Sequence, residues 1–129
     1  MIDRINEYRL VPTIRIFPNV PHKDYLSLLR FVYVIVGNSS SGLIEAPSFG
    51  LPAVNIGTRQ NGRERGPNVI DAPYQKKIIR QCIDKAVHDK KFRDSLTSKL
   101  NPYGDGNASG RIAEILATVE INDRLFAKQ

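Results

Sequence analysis

Cysteine, histidine and long apolar runs are scarce in this sequence of 129 residues. The single cysteine, Cys82, excludes an internal disulfide and is compatible with a reducing compartment such as the cytoplasm. The two histidines, His22 and His88, share no metal-ligand spacing with it, so we expect no metal site. No apolar run is long enough to cross a bilayer and no secretory leader is recognisable. We therefore expect a cytoplasmic protein with no membrane partner.

The composition is that of one ordinary globular domain, with 41% hydrophobic and 25% charged residues. The net charge of +6 raises the question of nucleic acid. The positive residues are spread over residues 59–65, residues 76–91 and the C-terminal tail, and no aromatic residues interleave with them as stacking platforms. We expect no nucleic-acid partner, because a basic surface equally suits a protein that holds a small anion.

A strand, a turn of small residues and a helix are predicted in succession near the middle of the chain. Residues 32–36 form an apolar, mostly β-branched run, which is typical of a parallel strand covered on both faces. Apolar residues at helical spacing resume over residues 43–49, with Glu45 near the start. The first N–H groups of a helix have no partner within it, so the intervening turn is predicted to bind phosphate. Its candidate ligands are Asn38, Ser39, Ser40, Ser41 and Gly42.

Other interpretations of this turn fit less well. A nucleophile elbow requires Gly-x-Ser-x-Gly, and neither Ser39 nor Ser40 has glycines at both required positions. The phosphate loop of nucleoside triphosphatases requires a lysine, and the dinucleotide fingerprint requires a third glycine; both are absent here. An ordinary serine-rich cap between a strand and a helix remains an open alternative.

The following segment strengthens the phosphate interpretation. Residues 51–56 predict another strand, and the loop after it, residues 57–67, contains three glycines and three arginines. Open α/β sheets bind ligands beyond the carboxyl ends of their strands, and the guanidinium fork matches phosphate. Arg59 lies nearest the strand end and is the best candidate. Arg63 and Arg65 fit a solvated loop equally well.

The remaining segments alternate between strand and helix patterns. Further strands are predicted over residues 13–17 and 69–71, and further helices over residues 21–31, 74–89 and 92–100. The helix over 74–89 has an apolar stripe that is predicted to bury Cys82. A last helix is predicted after a capping Asn107, with one apolar face formed by Ile112, Ile115, Leu116 and Val119. This order predicts an α/β fold with a doubly wound parallel sheet.

Four motifs carry a resemblance to a known family. They are Gly-Asn-Ser-Ser-Ser-Gly at 37–42, Glu-Ala-Pro-Ser-Phe-Gly-Leu-Pro at 45–52, Asn-Ile-Gly-Thr-Arg-Gln-Asn-Gly-Arg-Glu at 55–64 and Tyr-Gly-Asp-Gly-Asn-Ala at 103–108. From about residue 14 to about residue 116 the chain resembles the hydrolysing UDP-N-acetylglucosamine 2-epimerases of sialic acid biosynthesis. The non-hydrolysing branch has Thr-Asp-Ser-Gly-Gly and Thr-Glu-Arg-Pro motifs, which this sequence lacks.

The resemblance implies a role for particular residues. Ser39 and Ser40 would bind the diphosphate, Glu45 the ribose hydroxyls, and Arg59 the UDP, while the backbone of Val20 would contact the nucleotide. Asn38, Ser41, Gly42 and Arg63 are further candidates. A second interpretation of Glu45 is an acid in the first turn of a helix that stabilises the helix dipole.

The resemblance also implies a domain organisation. Residues 1–129 would be a single partial domain, the Rossmann-like C-terminal half of a glycosyltransferase-B fold, without the N-terminal domain that supplies most of the catalytic carboxylates. A closing helix of this kind crosses back toward the other domain in that fold. We therefore expect UDP and UDP-N-acetylglucosamine as ligands, no cofactor, no catalytic residue in this chain and no turnover by it alone. A homodimer, or a partner chain carrying the N-terminal domain, is compatible with the sequence. The alternatives are a stand-alone UDP-sugar binding module or subunit, and a fragment of a glycosyltransferase.

Overall fold

The computed structural model describes residues 2–120, and the backbone divides into two units between residues 32 and 33. The tail at 121–129, which contributes to the charge pattern, lies outside the described residues. No helix of the described residues is long and apolar enough to cross a membrane.

The first unit contains two short helices, α1 (Ile2–Asn6) and α2 (His22–Leu28). The strand predicted over residues 13–17 is wrong, because that segment pairs with no neighbouring strand. Its side chains still alternate, with Ile14 and Ile16 more buried than the residues between and after them. Alternation shows that a segment suits a sheet, but a strand also needs a hydrogen-bonding partner. The predicted helix over 21–31 is confirmed in a shorter form, beginning after Pro21.

The second unit is built on three parallel strands: β1 (Ile35–Gly37), β2 (Ala53–Ile56) and β3 (Val69–Ala72). Their order in the sheet follows the chain, with Val36 opposite Val54 and Val54 opposite Ile70. A helical segment joins β1 to β2, and a loop joins β2 to β3. The parallel sheet together with its helices confirms the predicted α/β fold.

β1 differs from its prediction in length and in burial. It begins at Ile35 rather than at residue 32, and Val36 is 43% exposed. The expectation that both faces of residues 32–36 are covered is therefore wrong. β1 pairs only with β2 and lies at the edge of the described sheet, where the β-branched run has a neighbour on one side. The buried strand is β2, whose Val54 packs in a core with Ala72 and Ala86.

The helix predicted over residues 43–49 is two short elements. α3 (Ser41–Ile44) is followed by a 3₁₀ turn, Ala46–Phe49, and the chain leaves it through Gly50 at a φ of +62°. Pro47 explains the break, because its nitrogen has no hydrogen to continue the α-helical ladder. The left-handed φ at Gly50 then ends the turn.

The predicted helices over residues 74–89 and after Asn107 are confirmed, whereas the helix predicted over residues 92–100 begins two residues earlier and ends five residues earlier. They are α4 (Lys76–His88), α5 (Lys90–Ser95) and α6 (Ala108–Thr118). Cys82 on α4 is half-buried and packs beside the Val54 core. Asn107 lies at the capping position of α6, but its side chain makes no capping hydrogen bond. The apolar face predicted for α6 is exposed, with Leu116 70% accessible.

Candidate functional site

The ends of the parallel strands place two predicted segments side by side. They are the turn over residues 38–42 and the loop over residues 57–67, which we call the arginine loop. β1 ends at Gly37 and β2 at Ile56, and both carboxyl ends lie at the same edge of the sheet. The Gln60 side chain, 3% exposed, donates from Nε2 to the backbone oxygen of Asn38 at 2.7 Å. The arginine loop is therefore fastened to the turn by a direct hydrogen bond.

The turn is shorter than the sequence predicted, because α3 already begins at Ser41. Ser41 and Gly42 are buried, and a Cβ on Gly42 would lie 3.1 Å from that of Ala53. Ser39 is exposed and Ser40 half-buried. The Ser39 hydroxyl accepts from the N–H of Ser41 at 3.3 Å, while the N–H groups of Ser39 and Ser40 have no hydrogen-bond partner among residues 2–120. These two N–H groups and the hydroxyls of Ser39 and Ser40 can donate to an anion.

The three arginines of the loop have different environments. The guanidinium groups of Arg59 and Arg63 are exposed and form no ion pair within the described part of the chain. Arg65 instead donates from Nε to Asp71 Oδ2 at 2.9 Å, and to the backbone oxygens of Arg63 and Gln60 at 2.7 and 3.2 Å. The interpretation of Arg65 as a solvated loop residue is therefore wrong. Arg59 and Arg63 remain available to a ligand.

Glu45 lies between α3 and the 3₁₀ turn Ala46–Phe49, at the C-terminal end of the first and at the N-terminal cap of the second, where its side chain makes no capping hydrogen bond. A carboxylate at the end of α3 does not favour the dipole of α3, so the prediction of an acid in the first turn of one helix over residues 43–49 is wrong. Its Oε2 is buried and has no hydrogen-bond partner among the described residues. A buried acceptor without a donor costs about 1–3 kcal/mol. The position therefore suits a ligand hydroxyl.

Three buried amide side chains that the sequence analysis did not single out as site residues tie the turn, α3 and the strands together, Gln60 and Asn55 at this edge of the sheet and Asn68 at the amino ends of β2 and β3. Besides Gln60, Asn55 donates from Nδ2 to Asp71 Oδ1 at 2.6 Å. Asn68 donates from Nδ2 to the backbone oxygens of Gly42 and Leu51 at 3.0 and 2.9 Å. An amide inside or directly before a buried strand, as at Asn55 and Asn68, is the sequence feature that could have identified two of them.

The segment around residue 103 holds the end of the arginine loop and the end of α3. The Tyr103 hydroxyl donates to the backbone oxygen of Glu64 at 3.0 Å, which holds the end of the arginine loop. Asn101 donates from Nδ2 to the Ile44 oxygen at 2.9 Å and to the Ser48 hydroxyl at 2.7 Å. Tyr103 is the first residue of the Tyr-Gly-Asp-Gly-Asn-Ala motif, so the motif supports the arginine loop, while Asn101 before it supports the end of α3 and the 3₁₀ turn.

Two cavities lie near residues of interest. One, of about 320 Å³, is lined by Gly57, Thr58, Asn61, Asp71 and Tyr74 beside the arginine loop. The other, of about 430 Å³, lies in the first unit and contains Val20 together with Phe17 and Phe31. No group of three or more metal-ligating side chains occurs in the part of the chain that the structure describes.

The sequence was compared with known proteins. A family model described as UDP-N-acetylglucosamine 2-epimerase matches residues 1–117. The chain is 38% identical over 124 residues to a UDP-N,N'-diacetylbacillosamine 2-epimerase (hydrolyzing) of Legionella pneumophila, covering 96% of this chain and 32% of that protein. It is 43% identical over 90 residues to the polysialic acid biosynthesis protein P7 of Escherichia coli, covering 70% and 23%. It is 35% identical over 104 residues to a UDP-N-acetylglucosamine 2-epimerase of Neisseria meningitidis, covering 81% and 27%. The chain thus spans about a third or less of the length of these relatives.

Proposed function

The chain belongs to the UDP-N-acetylglucosamine 2-epimerase family, and we propose that it binds UDP and UDP-N-acetylglucosamine as the C-terminal part of a hydrolysing enzyme of that family. The whole enzyme would release N-acetylmannosamine and UDP. The observation that carries the proposal is the hydrogen bond from Gln60 to Asn38, which holds a loop with free arginines against a turn with free N–H groups. The name of the Legionella relative makes a diacetylated sugar nucleotide a second substrate to test.

The diphosphate would lie against the turn. The N–H groups of Ser39 and Ser40 and their hydroxyls supply donors, and the exposed guanidinium of Arg59 supplies charge. α3 has four residues, so its dipole is small, and the hydrogen bonds carry most of the attraction. Arg63 and the Asn38 side chain are further donors within this proposal.

The ribose would be held by Glu45. Its buried Oε2 has no donor among residues 2–120, and a ribose hydroxyl can provide one. Val20 lies in the other unit, and its backbone contact to the nucleotide remains a prediction from the resemblance.

Epimerisation requires a base that removes the C2 proton and an acid that protonates the opposite face or assists the loss of UDP. We propose that these groups come from outside this chain, so that the chain alone binds the nucleotide without turnover. Assaying the isolated chain for N-acetylmannosamine tests this part, and release of the sugar would contradict it.

Calorimetric titration with UDP tests the binding site. A Ser39→Ala, Ser40→Ala double variant should bind more weakly by about 1.5–3 kcal/mol for each charge-assisted hydrogen bond lost. Ser98→Ala is the matched control, because that serine is exposed in the turn after α5, and it should leave the affinity unchanged. Equal affinity of the wild type and the double variant would contradict the assignment of the diphosphate to the turn.

A further inference from the structure

We propose that Arg65 is a positioning residue that holds the arginine loop, and with it Arg59, against the phosphate-binding turn. The effect on UDP rests on the proposed function. The role in the loop rests on contacts within the protein alone. Arg65 makes three hydrogen bonds in three directions, to the Asp71 carboxylate and to the backbone oxygens of Arg63 and Gln60.

Arg65 is anchored on the sheet through Asp71. Asp71 lies on β3, and its second oxygen, Oδ1, accepts from Asn55 on β2 at 2.6 Å. The carboxylate is therefore fixed by a neighbouring strand and presents Oδ2 to the Arg65 Nε. This places one end of the contact chain on the most regular part of the fold.

The other end of the contact chain reaches the turn through Gln60. The Gln60 backbone oxygen accepts from Arg65 Nη2, while its side chain donates to the Asn38 oxygen. A continuous path of hydrogen bonds therefore runs from Asp71 through Arg65 and Gln60 to Asn38. Arg59 directly precedes Gln60, so fixing Gln60 restricts where the Arg59 guanidinium can lie.

The chemistry of the guanidinium suits this role. Its planar fork supplies donors in several fixed directions at once, whereas a lysine ammonium is a compact charge on a flexible stem. The pairing of Arg65 with Asp71 also neutralises its charge locally, which leaves the exposed Arg59 and Arg63 as the cations of the loop for an anionic ligand. Arg65 therefore acts through Arg59 and not by direct contact.

A double-mutant cycle in UDP binding tests this coupling. Arg65→Ala and Arg59→Ala should each weaken binding about tenfold, which corresponds to about 1.4 kcal/mol. The double variant should bind about as weakly as Arg59→Ala alone, because a positioning residue has no effect once the group it positions is gone. Arg65→Lys should recover only part of the affinity. Arg111→Ala is the matched control. It removes the surface ion pair between Arg111 and Asp105, whose 3.0 Å length is similar to that of the Arg65–Asp71 pair, and it should leave UDP affinity unchanged.

Independent, multiplying effects of the two substitutions, or wild-type affinity in Arg65→Ala, would overturn the inference. Thermal unfolding checks that each variant is folded. If Arg65→Ala does not fold, the same cycle is measured with Arg65→Lys in its place. A wild type that fails to bind UDP would refute the proposed function, and amide hydrogen exchange without ligand then decides the role of Arg65. The N–H groups of Asn61 and Arg63 donate to the backbone oxygens of Thr58 and Gln60. Both N–H groups should exchange faster in the Arg65 variant than in the wild type. Unchanged exchange there would overturn the inference.

Discussion

Replacing Asn68 tests how the sheet supports α3 and the turn that we propose to bind phosphate. The side chain is 1% exposed, and its Nδ2 donates to the backbone oxygens of Gly42 in α3 and Leu51 before β2. Its own backbone oxygen accepts from the N–H of Ala53 at 2.8 Å. One residue therefore joins α3, β2 and the start of β3.

The cost of losing this amide follows from the groups it leaves behind. Asn68→Ala removes two hydrogen bonds and leaves the carbonyls of Gly42 and Leu51 without that donor. Each unsatisfied buried group costs about 1–3 kcal/mol, so the expected loss for the two carbonyls is about 2–6 kcal/mol. Asn68→Asp keeps the shape but turns a carboxylate toward two carbonyl oxygens, and should cost at least as much at neutral pH. Because domains are stable by about 5–15 kcal/mol, either variant is near the limit of folding.

Urea unfolding followed by circular dichroism measures the effect. The expected order of stability at neutral pH is wild type, then Asn68→Ala, then Asn68→Asp. The aspartate variant should regain stability in acid, because a protonated carboxyl can donate one of the two hydrogen bonds. Asn107→Ala is the matched control, because that side chain makes no capping bond, and its cost should stay within about 0.5 kcal/mol. An Asn68→Ala variant as stable as the control would refute the reasoning.

Two further predictions concern a glycine pair and an acid. Gly57 and Gly62 have φ values of +78° and +77°, and only a Cβ on Gly57 meets another group, Tyr74 Cζ at 2.0 Å. Gly62→Ala should cost about 1–2 kcal/mol in urea unfolding, Gly57→Ala should cost more, and adding Tyr74→Ala should remove the difference. The hydrogen bond from Arg111, reinforced by a backbone N–H, holds the pKa of Asp105 well below its ordinary value of 3.8. Because folding lowers this pKa, the ion pair contributes stability above pH 3.8, and that contribution is lost as the pH falls below 3.8. Asp105→Asn should therefore flatten this part of the acid unfolding curve. An unchanged curve would contradict the ion pair.

The strands and helices that the sequence predicts correctly have locally visible causes. The apolar runs at β2 and β3 and the stripe of α4 each follow from a few consecutive residues. The strand over residues 13–17 fails because a strand depends on a partner that no local period reveals. The helix over residues 43–49 fails for a local reason, since Pro47 lies within it and the apolar spacing outweighed that residue in the prediction.

The candidate site divides in the same way. Ser39, Ser40 and Arg59 directly follow strand ends, and parallel strands bring their carboxyl ends to one edge, so their proximity could be predicted. The role of Arg65 could not, because it depends on Asp71 in the next strand and on the backbone of Gln60. Those contacts arise from the register of β2 with β3, which the sequence pattern leaves open.

Four buried side-chain oxygens in the described part of the chain have no hydrogen-bond partner, and one of them differs from the rest. Three belong to Asn55, Gln60 and Asn68, whose amide nitrogens each hold a neighbouring segment in place. An amide fixed by its nitrogen has a structural reason for its position, even when its oxygen is left unpaired. Glu45 has no nitrogen and can only accept in its ionised form, so the same explanation fails for its Oε2. An external donor, such as the ribose hydroxyl in the proposed complex, would supply the hydrogen bond that this oxygen lacks among residues 2–120.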